Sequence, residues 1–176
     1  MALIKSVKGV SPKFGKNVYL AENATVVGDV VMGDDCSVWF NAVVRGDVNS
    51  IRMGNKVNVQ DGAIIHCTYQ KTKVVIGNNV SIGHNAIVHG CSIGENVLIG
   101  MGAIVMDNCE IGSNSLIAAG AVLLENTKVE SGSVWAGVPA KKVKDINPEL
   151  LNGEVNRIAN NYLMYAGWFK DKEESL

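Results

Sequence analysis

The chain has 176 residues, 47% hydrophobic and 19% charged, a composition that suits one globular domain of ordinary size. A formal net charge of -1 argues against a surface for nucleic acid or anionic membrane, and no apolar run approaches the ~20 residues that span a bilayer. The opening MALIKSVKGVSPKFG lacks the apolar segment of a secretion signal, so a cytoplasmic protein with no membrane or nucleic-acid partner is expected. The cysteines Cys36, Cys67, Cys91 and Cys109 form no CxxC pair, which points away from a disulfide framework or a thiolate zinc knuckle.

In chain order, residues 1–19 carry no repeat that can be phased, although Val10, Phe14, Val18 and Tyr19 can cover the open end of whatever follows. From Leu20 to Trp135 an aliphatic guide residue returns about every six positions. The column reads Leu20, Val26, Met32, Val38, Val44, then Met53, Val59, Ile65, then Ile76, Ile82, Val88, and finally Ile93, Ile99, Val105, Ile111, Ile117, Leu123, Val129 and Trp135. A second, mostly small column follows four positions later, among it Ala24, Cys36, Ala42, Ala63, Ala86, Ala103, Cys109 and Ala121. This period fits neither a helix nor simple strand alternation, but it fits short strands with a corner every six residues. Three such units close a triangular coil of about 18 residues, and stacked coils make an all-β solenoid of parallel strands. An antiparallel sandwich is the competing reading, and its turn signals would recur every 8–12 residues without fixed phase. Glycines directly after guide residues, such as Gly54, Gly77, Gly83, Gly94, Gly100 and Gly112, suggest turns that need positive φ.

Two stretches break the phase: about three extra residues in VNSI after Asp47, and CTYQKTK after His66. Both are expected as loops leaving a corner, the places where sites are built on a rigid scaffold. The regular run from Ile93 to Trp135 has no His and few charges and reads as scaffold. Asn147 and Pro148 then provide an N-cap and a first-turn proline, with Glu149 at the positive end of the helix dipole. Leu151, Val155, Ile158, Tyr162, Tyr165 and Phe169 recur at helical steps, so 148–170 is expected as an amphipathic helix whose stripe buries on the solenoid or a neighbouring subunit. The organisation is therefore 1–144, a β-helix with an N-terminal cap, and 145–176, a helix and a solvated tail KDKEESL.

All three histidines lie between positions 66 and 89. His66 and His89 each follow a guide residue directly, and His84 comes two after Ile82, so they should face outward. Neutral imidazole is a common zinc ligand, and three His with an open position recur in catalytic zinc sites. His84 and His89 should diverge within one chain, so a metal would need ligands from two subunits of a closed oligomer. Surface histidines bonded to nearby carbonyls are the alternative. Cys67, next to His66, is a further candidate ligand or nucleophile.

The segments VVRGD at 43–47, NVQDG at 58–62, IIH at 64–66 and VSIGHNAIVHGC at 80–91 resemble the gamma-class carbonic anhydrases and their bacterial homologues. The likeness covers nearly the whole chain, including WAGVPAK at 135–141 and ANNY at 159–162. It implies a left-handed parallel β-helix of hexapeptide repeats, a handedness that runs against the usual crossover rule. It also implies a homotrimer with zinc, or iron or cobalt, at its interfaces, held by His66, His84 and His89 with one ligand from the adjacent subunit. By the same resemblance Arg45 and Asp61 form an ion pair at or near the interface with Asp47 beside them, Gln60 and Asn58 lie near the bound water or bicarbonate, and Tyr162 lies over the pocket. A purely structural role stays open for Arg45 and Asp61, and an interface-packing role for Tyr162.

The implied activity is that of a carbonic anhydrase-like lyase, the reversible hydration of CO2. In that family glutamates are credited with carrying the proton away, one just after the RGD-like segment and one on an acidic loop after the first histidine. Here Val48 follows Asp47 and CTYQKTK has no carboxylate, so turnover is expected to be weak unless Asp47 or buffer substitutes. Other readings are a metal-dependent hydrolase or thioesterase acting on an acyl-CoA, a non-catalytic trimeric scaffold and, less well matched, a hexapeptide acyltransferase.

Overall fold

The computed structural model describes residues 1–170, and the solvated tail expected after Lys170 lies outside them. The chain winds into a three-sided, left-handed parallel β-helix followed by a helix. The first side stacks Leu3–Lys5, the first halves of Thr25–Met32 and Val43–Met53, then Ile64–His66, Ile87–His89, Ile104–Val105 and Val122–Leu123. The second stacks Lys13–Phe14, the second halves of the same two long strands, then Val74–Ile76, Ser92–Ile93, Glu110–Ile111 and Lys128–Val129. The third runs from Tyr19–Leu20 through Ser37–Val38, Asn58–Val59, Val80–Ile82, Val97–Ile99 and Leu116–Ile117 to Ser133–Gly137, where antiparallel Ala140–Asp145 closes it. Residues 3–20 thus pair in parallel with the next coil and form the first coil themselves. Phe14, Val18 and Tyr19 pack against the core, while Val10 is exposed.

The six-residue period arises because each guide residue points into the triangle at mid-strand. Every one of them is buried except Leu20 and Trp135, at the two ends of the stack, and the second column, from Ala24 to Ala121, is buried throughout. A fully buried Val or Ile contributes roughly 1.5–3 kcal/mol, so two phased columns make one continuous core. All four cysteines are free and buried.

The corners differ from the expectation. Positive φ falls on the asparagines two residues after the glycines, as at Asn79, Asn96 and Asn114 with φ of 56°, 54° and 55°. Asn tolerates the left-handed region, and here its side chain adds a ladder, Asn79 Nδ2 to Asn96 Oδ1 at 2.9 Å and Asn96 Nδ2 to Asn114 Oδ1 at 3.0 Å. The glycines serve a different purpose, close stacking of coils. A methyl on Gly77 would lie 2.8 Å from the carbonyl carbon of Gly94.

The two phase breaks take different forms. CTYQKTK leaves the helix as a loop with a turn at 69–71. VNSI does not, because Val43–Met53 stays one strand: Gly28 pairs with Gly46 while Val30 pairs with Ile51, so the surplus residues bulge within the ladder. Edge bulging keeps every later guide residue in phase.

Asn147 caps the C-terminal helix, its Oδ1 accepting from Leu150 N at 2.7 Å, with Pro148 and Glu149 in the first turn. The next turns, Leu151–Asn156 around Gly153, are π-helical, and the regular α-helix is Arg157–Lys170. It lies on the third side. Val155, Ala159 and Ala166 are its buried residues, so the stripe includes two alanines that the aromatic spacing does not show. Phe169 stays partly exposed yet joins Tyr19, Trp39 and Tyr162 in an aromatic cluster, with Trp39 ring centroids 5.1 Å from Tyr162 and 5.6 Å from Phe169.

The register gives a direct test. Val74 is fully buried and its neighbour Val75 is 50% exposed. Val74→Ala should lower unfolding free energy by about 2–3 kcal/mol, two methyl groups plus a cavity, and Val75→Ala by less than about 0.5. Urea titration reads both, and equal losses would contradict the register.

Candidate metal centre

The nine residues singled out in the sequence divide into two groups at different corners of the triangle. Arg45, Asp47, His66 and His89 gather at one corner, where Ile64–His66 and Ile87–His89 end and Val43–Met53 bulges. Asn58, Gln60, Asp61, His84 and Tyr162 gather at another, where the third side turns into the first beneath the helix.

At the first corner His66 and His89 are register partners on adjacent coils, so their rings meet edge to face outside the core with centroids 5.2 Å apart. His66 Nδ1 faces His89 Nε2 at 3.2 Å. The other nitrogen of each ring meets a carboxylate: His66 Nε2 lies 3.1 Å from Asp47 Oδ1, and His89 Nδ1 lies 3.0 Å from Asp107 Oδ1. Carboxylate oxygens only accept, so the nitrogens facing them carry the hydrogens. In the neutral rings both facing nitrogens are then lone pairs, and their approach is repulsive unless a cation or a proton lies between. Two nitrogens bound at ~2.05 Å to one tetrahedral ion sit about 3.3 Å apart, so the pair fits a shared metal ion.

Burial pushes the His66 pKa down, with Arg45 and His89 adding to the effect and Asp47 opposing it, which keeps the ring neutral and ready to bind. For Asp47 burial pushes the other way, but hydrogen bonds from Arg45, at 2.6 Å, and from His66 prevail and hold the carboxyl below its ordinary value. Asp107 is treated alike: burial raises it, and bonds from Thr72, Thr68 and His89 lower it further than burial raises it.

At the second corner His84 Nδ1 meets Asp61 Oδ2 at 2.9 Å, leaving Nε2 as the lone pair, 3.3 Å from the Tyr162 hydroxyl that donates to it. Burial, with Asp61 and Tyr165, pushes the Tyr162 pKa up, so the phenol keeps its proton. Gln60 Nε2 donates to Asn58 Oδ1 at 3.1 Å and Asn58 Nδ2 to Ser81 Oγ at 2.7 Å, a buried polar row on the third side. A cleft of about 480 Å³ opens beside His84 and Gln60, walled by Leu98, Met101, Leu116, Ile158 and Tyr165.

Among the described residues no single-chain cluster of three His, Cys, Asp or Glu converges on one point. The two-plus-one division of the histidines is the reason. Arg45 pairs with Asp47, and Asp61 with His84, so no Arg45–Asp61 ion pair is made within the chain. Cys67 belongs to the hydrophobic core and burial raises its thiol pKa, which removes it as a ligand or nucleophile. Asp107, which falls in the run expected as scaffold, also reaches this corner. The signal for it was coil arithmetic, since it stands 18 residues after His89 and therefore one coil along.

The family model for the bacterial transferase hexapeptide (six repeats) matches residues 11–46, 73–103 and 90–125. A Methanocaldococcus jannaschii protein named probable carbonic anhydrase is 51% identical over 86% of this chain and 92% of its own length. The mitochondrial gamma carbonic anhydrase 2 of Arabidopsis thaliana is 37% identical over 89% of this chain and 58% of the longer plant protein. Among solved structures, a hexapeptide transferase family protein from Anaplasma phagocytophilum superposes with a TM-score of 0.90 at 36% identity, over 95% of this chain and 98% of its own. With the coil register, the paired histidines and these relatives in place, the chain belongs to the gamma-class carbonic anhydrase-like family of hexapeptide-repeat, left-handed β-helix proteins.

Proposed function

We propose that this protein interconverts CO2 and bicarbonate at metal sites shared between the subunits of a homotrimer, each built from His66 and His89 of one subunit and His84 of the next. The observation that carries the proposal is the His66–His89 pair, two lone pairs aimed at each other at 3.2 Å with a carboxylate behind each ring. A cyclic assembly that brings one corner against the other supplies the third nitrogen, His84 Nε2, which the Asp61 bond leaves unprotonated. Zinc, iron and cobalt all suit three imidazoles. Such an ion, when bound, makes water nucleophilic near neutral pH.

The chain's own groups do the rest. Asp47, Asp61 and Asp107 set which ring nitrogen is free on each histidine. Gln60, with its amide oriented by Asn58, offers a donor and an acceptor to a small oxyanion at the His84 corner, and Tyr162 covers that nitrogen until a ligand displaces it. Arg45 neutralises Asp47 and adds positive charge where bicarbonate forms. Four buried free thiols suit a reducing compartment, so we place the protein in the cytoplasm. No helix among the described residues is long and apolar enough to cross a membrane. The apolar cleft beside His84 is larger than CO2 needs and favours, as a second reading, a hydrolase acting on an acyl thioester.

Elemental analysis of protein purified without chelator or affinity metal should find about one zinc or iron per chain, and light scattering should give a trimer mass. His84→Ala should lose that metal and any CO2 hydration in stopped flow; a variant that keeps its full metal would remove His84 from the site. If the wild type is inactive on CO2 but hydrolyses an acyl-CoA, the second reading replaces the first. Proton removal gives another test. Against the effect of burial, bonds from Arg45 and His66 hold the Asp47 carboxyl below its ordinary value, too acidic to relay protons efficiently near pH 7. The CO2 hydration rate should therefore climb with imidazole buffer concentration, and Asp47→Asn should leave that dependence in place. A buffer-independent rate lost in Asp47→Asn would make Asp47 the relay.

A further inference from the structure

The loop after His66 carries no carboxylate, yet it is tied to the site through another residue. Thr68 Oγ1 donates to Asp107 Oδ2 at 2.9 Å, and Thr72 Oγ1 donates to Asp107 Oδ1 at 2.8 Å. Thr72 Oγ1 also accepts from Thr68 N at 3.0 Å, which closes the loop on itself. Thr72 is 6% exposed, so its hydroxyl is held at the buried side of this network. The same Asp107 Oδ1 accepts from His89 Nδ1 at 3.0 Å. With all three donors in place the carboxylate has no freedom to turn away from the ring.

Gly90 makes the arrangement possible. It has φ of +52°, and a methyl there would collide with both Asp107 Oδ1 and Thr72 Oγ1. The residue after His89 is thus bare where the carboxylate and the hydroxyl meet. Neither Asp107 nor the threonines belong to the residues that the carbonic anhydrase resemblance assigns.

We propose that Asp107, clamped by Thr68 and Thr72, is the positioning residue for His89, holding it as the Nδ1–H tautomer with Nε2 aimed at His66 Nδ1. A bonded carboxylate of this kind raises the basicity of a ligating histidine and fixes its ring. The loop Cys67–Lys73 therefore acts as a clamp on the metal-facing nitrogen. The inference rests on the shared-metal reading for its consequence, but its first readout does not need metal.

The test uses the full chain, metal-free and labelled with 15N at histidine. Long-range 1H–15N correlation should show His89 with hydrogen on Nδ1 in the wild type, and loss of that form in Asp107→Ala. Zinc affinity, measured by competition with a chromophoric chelator, should fall about 10- to 100-fold in Asp107→Ala. Asp107→Asn keeps an acceptor oxygen and should retain the tautomer with a smaller loss. Thr72→Val, nearly the same shape and checked for folding by circular dichroism, should shift both readouts in the direction of Asp107→Ala. Asp107→Ala with His89 still locked as Nδ1–H, or Thr68→Val and Thr72→Val both at wild-type tautomer and affinity, would overturn the proposal. A wild type that takes up no zinc would defeat the metal reading alone, and the tautomer shift would still decide the role of Asp107.

Discussion

The parallel register between coils is the constraint on which the rest of this structure depends. Because side chains alternate along a strand, a slip of one residue would turn the guide column outward and bring polar residues into the core. The burial of two columns from end to end makes that slip costly. Once the register is held, residues one coil apart in sequence become neighbours in space. His66 and His89 meet across 23 residues of chain, and His89 and Asp107 across 18. The site is thus assembled by the same pairing that assembles the core, and no part of it requires a long excursion of the chain.

The irregularities serve the site without disturbing that pairing. The bulge within Val43–Met53 brings Asp47 alongside His66, and the loop 67–73 brings Thr68 and Thr72 over Asp107. Neither insertion moves Met53 or Ile76 out of the core. A solenoid tolerates such additions because each coil contacts only its neighbours, so surplus chain can leave the ladder and return one step later.

Electrostatics at the two corners follow one pattern. Asp47, Asp61 and Asp107 each meet one nitrogen of an imidazole, so the opposite nitrogens of His66 and His89 face each other and that of His84 faces the Tyr162 hydroxyl. Despite burial, Arg45 and His66 hold the Asp47 carboxyl below its ordinary value, and Thr72, Thr68 and His89 do the same for Asp107. The helix adds the last element. By covering the buried Asn58–Gln60 row and setting Tyr162 edge to face against Trp39, it fixes the phenol beside His84.

Much of this was legible in the sequence. A six-residue phase kept by two columns admits few folds, since only a coil with three corners buries both at once, and the N-cap at Asn147 with Pro148 announces the helix. The outward histidines could be read from their position next to guide residues. Other features depended on distances that sequence does not carry. Glycine beside the guide residue suggested positive φ, whereas the close approach of the neighbouring coil is what demands it at Gly77, and Asn79 supplies the turn. Asp107 looks like scaffold because its partner lies a full coil away, and within the chain Arg45 meets Asp47 while Asp61 lies at the other corner beside His84. Repeat phase is a local property and shows in the sequence; which carboxylate meets which imidazole is set by stacking across coils, and that is decided only when the chain is wound.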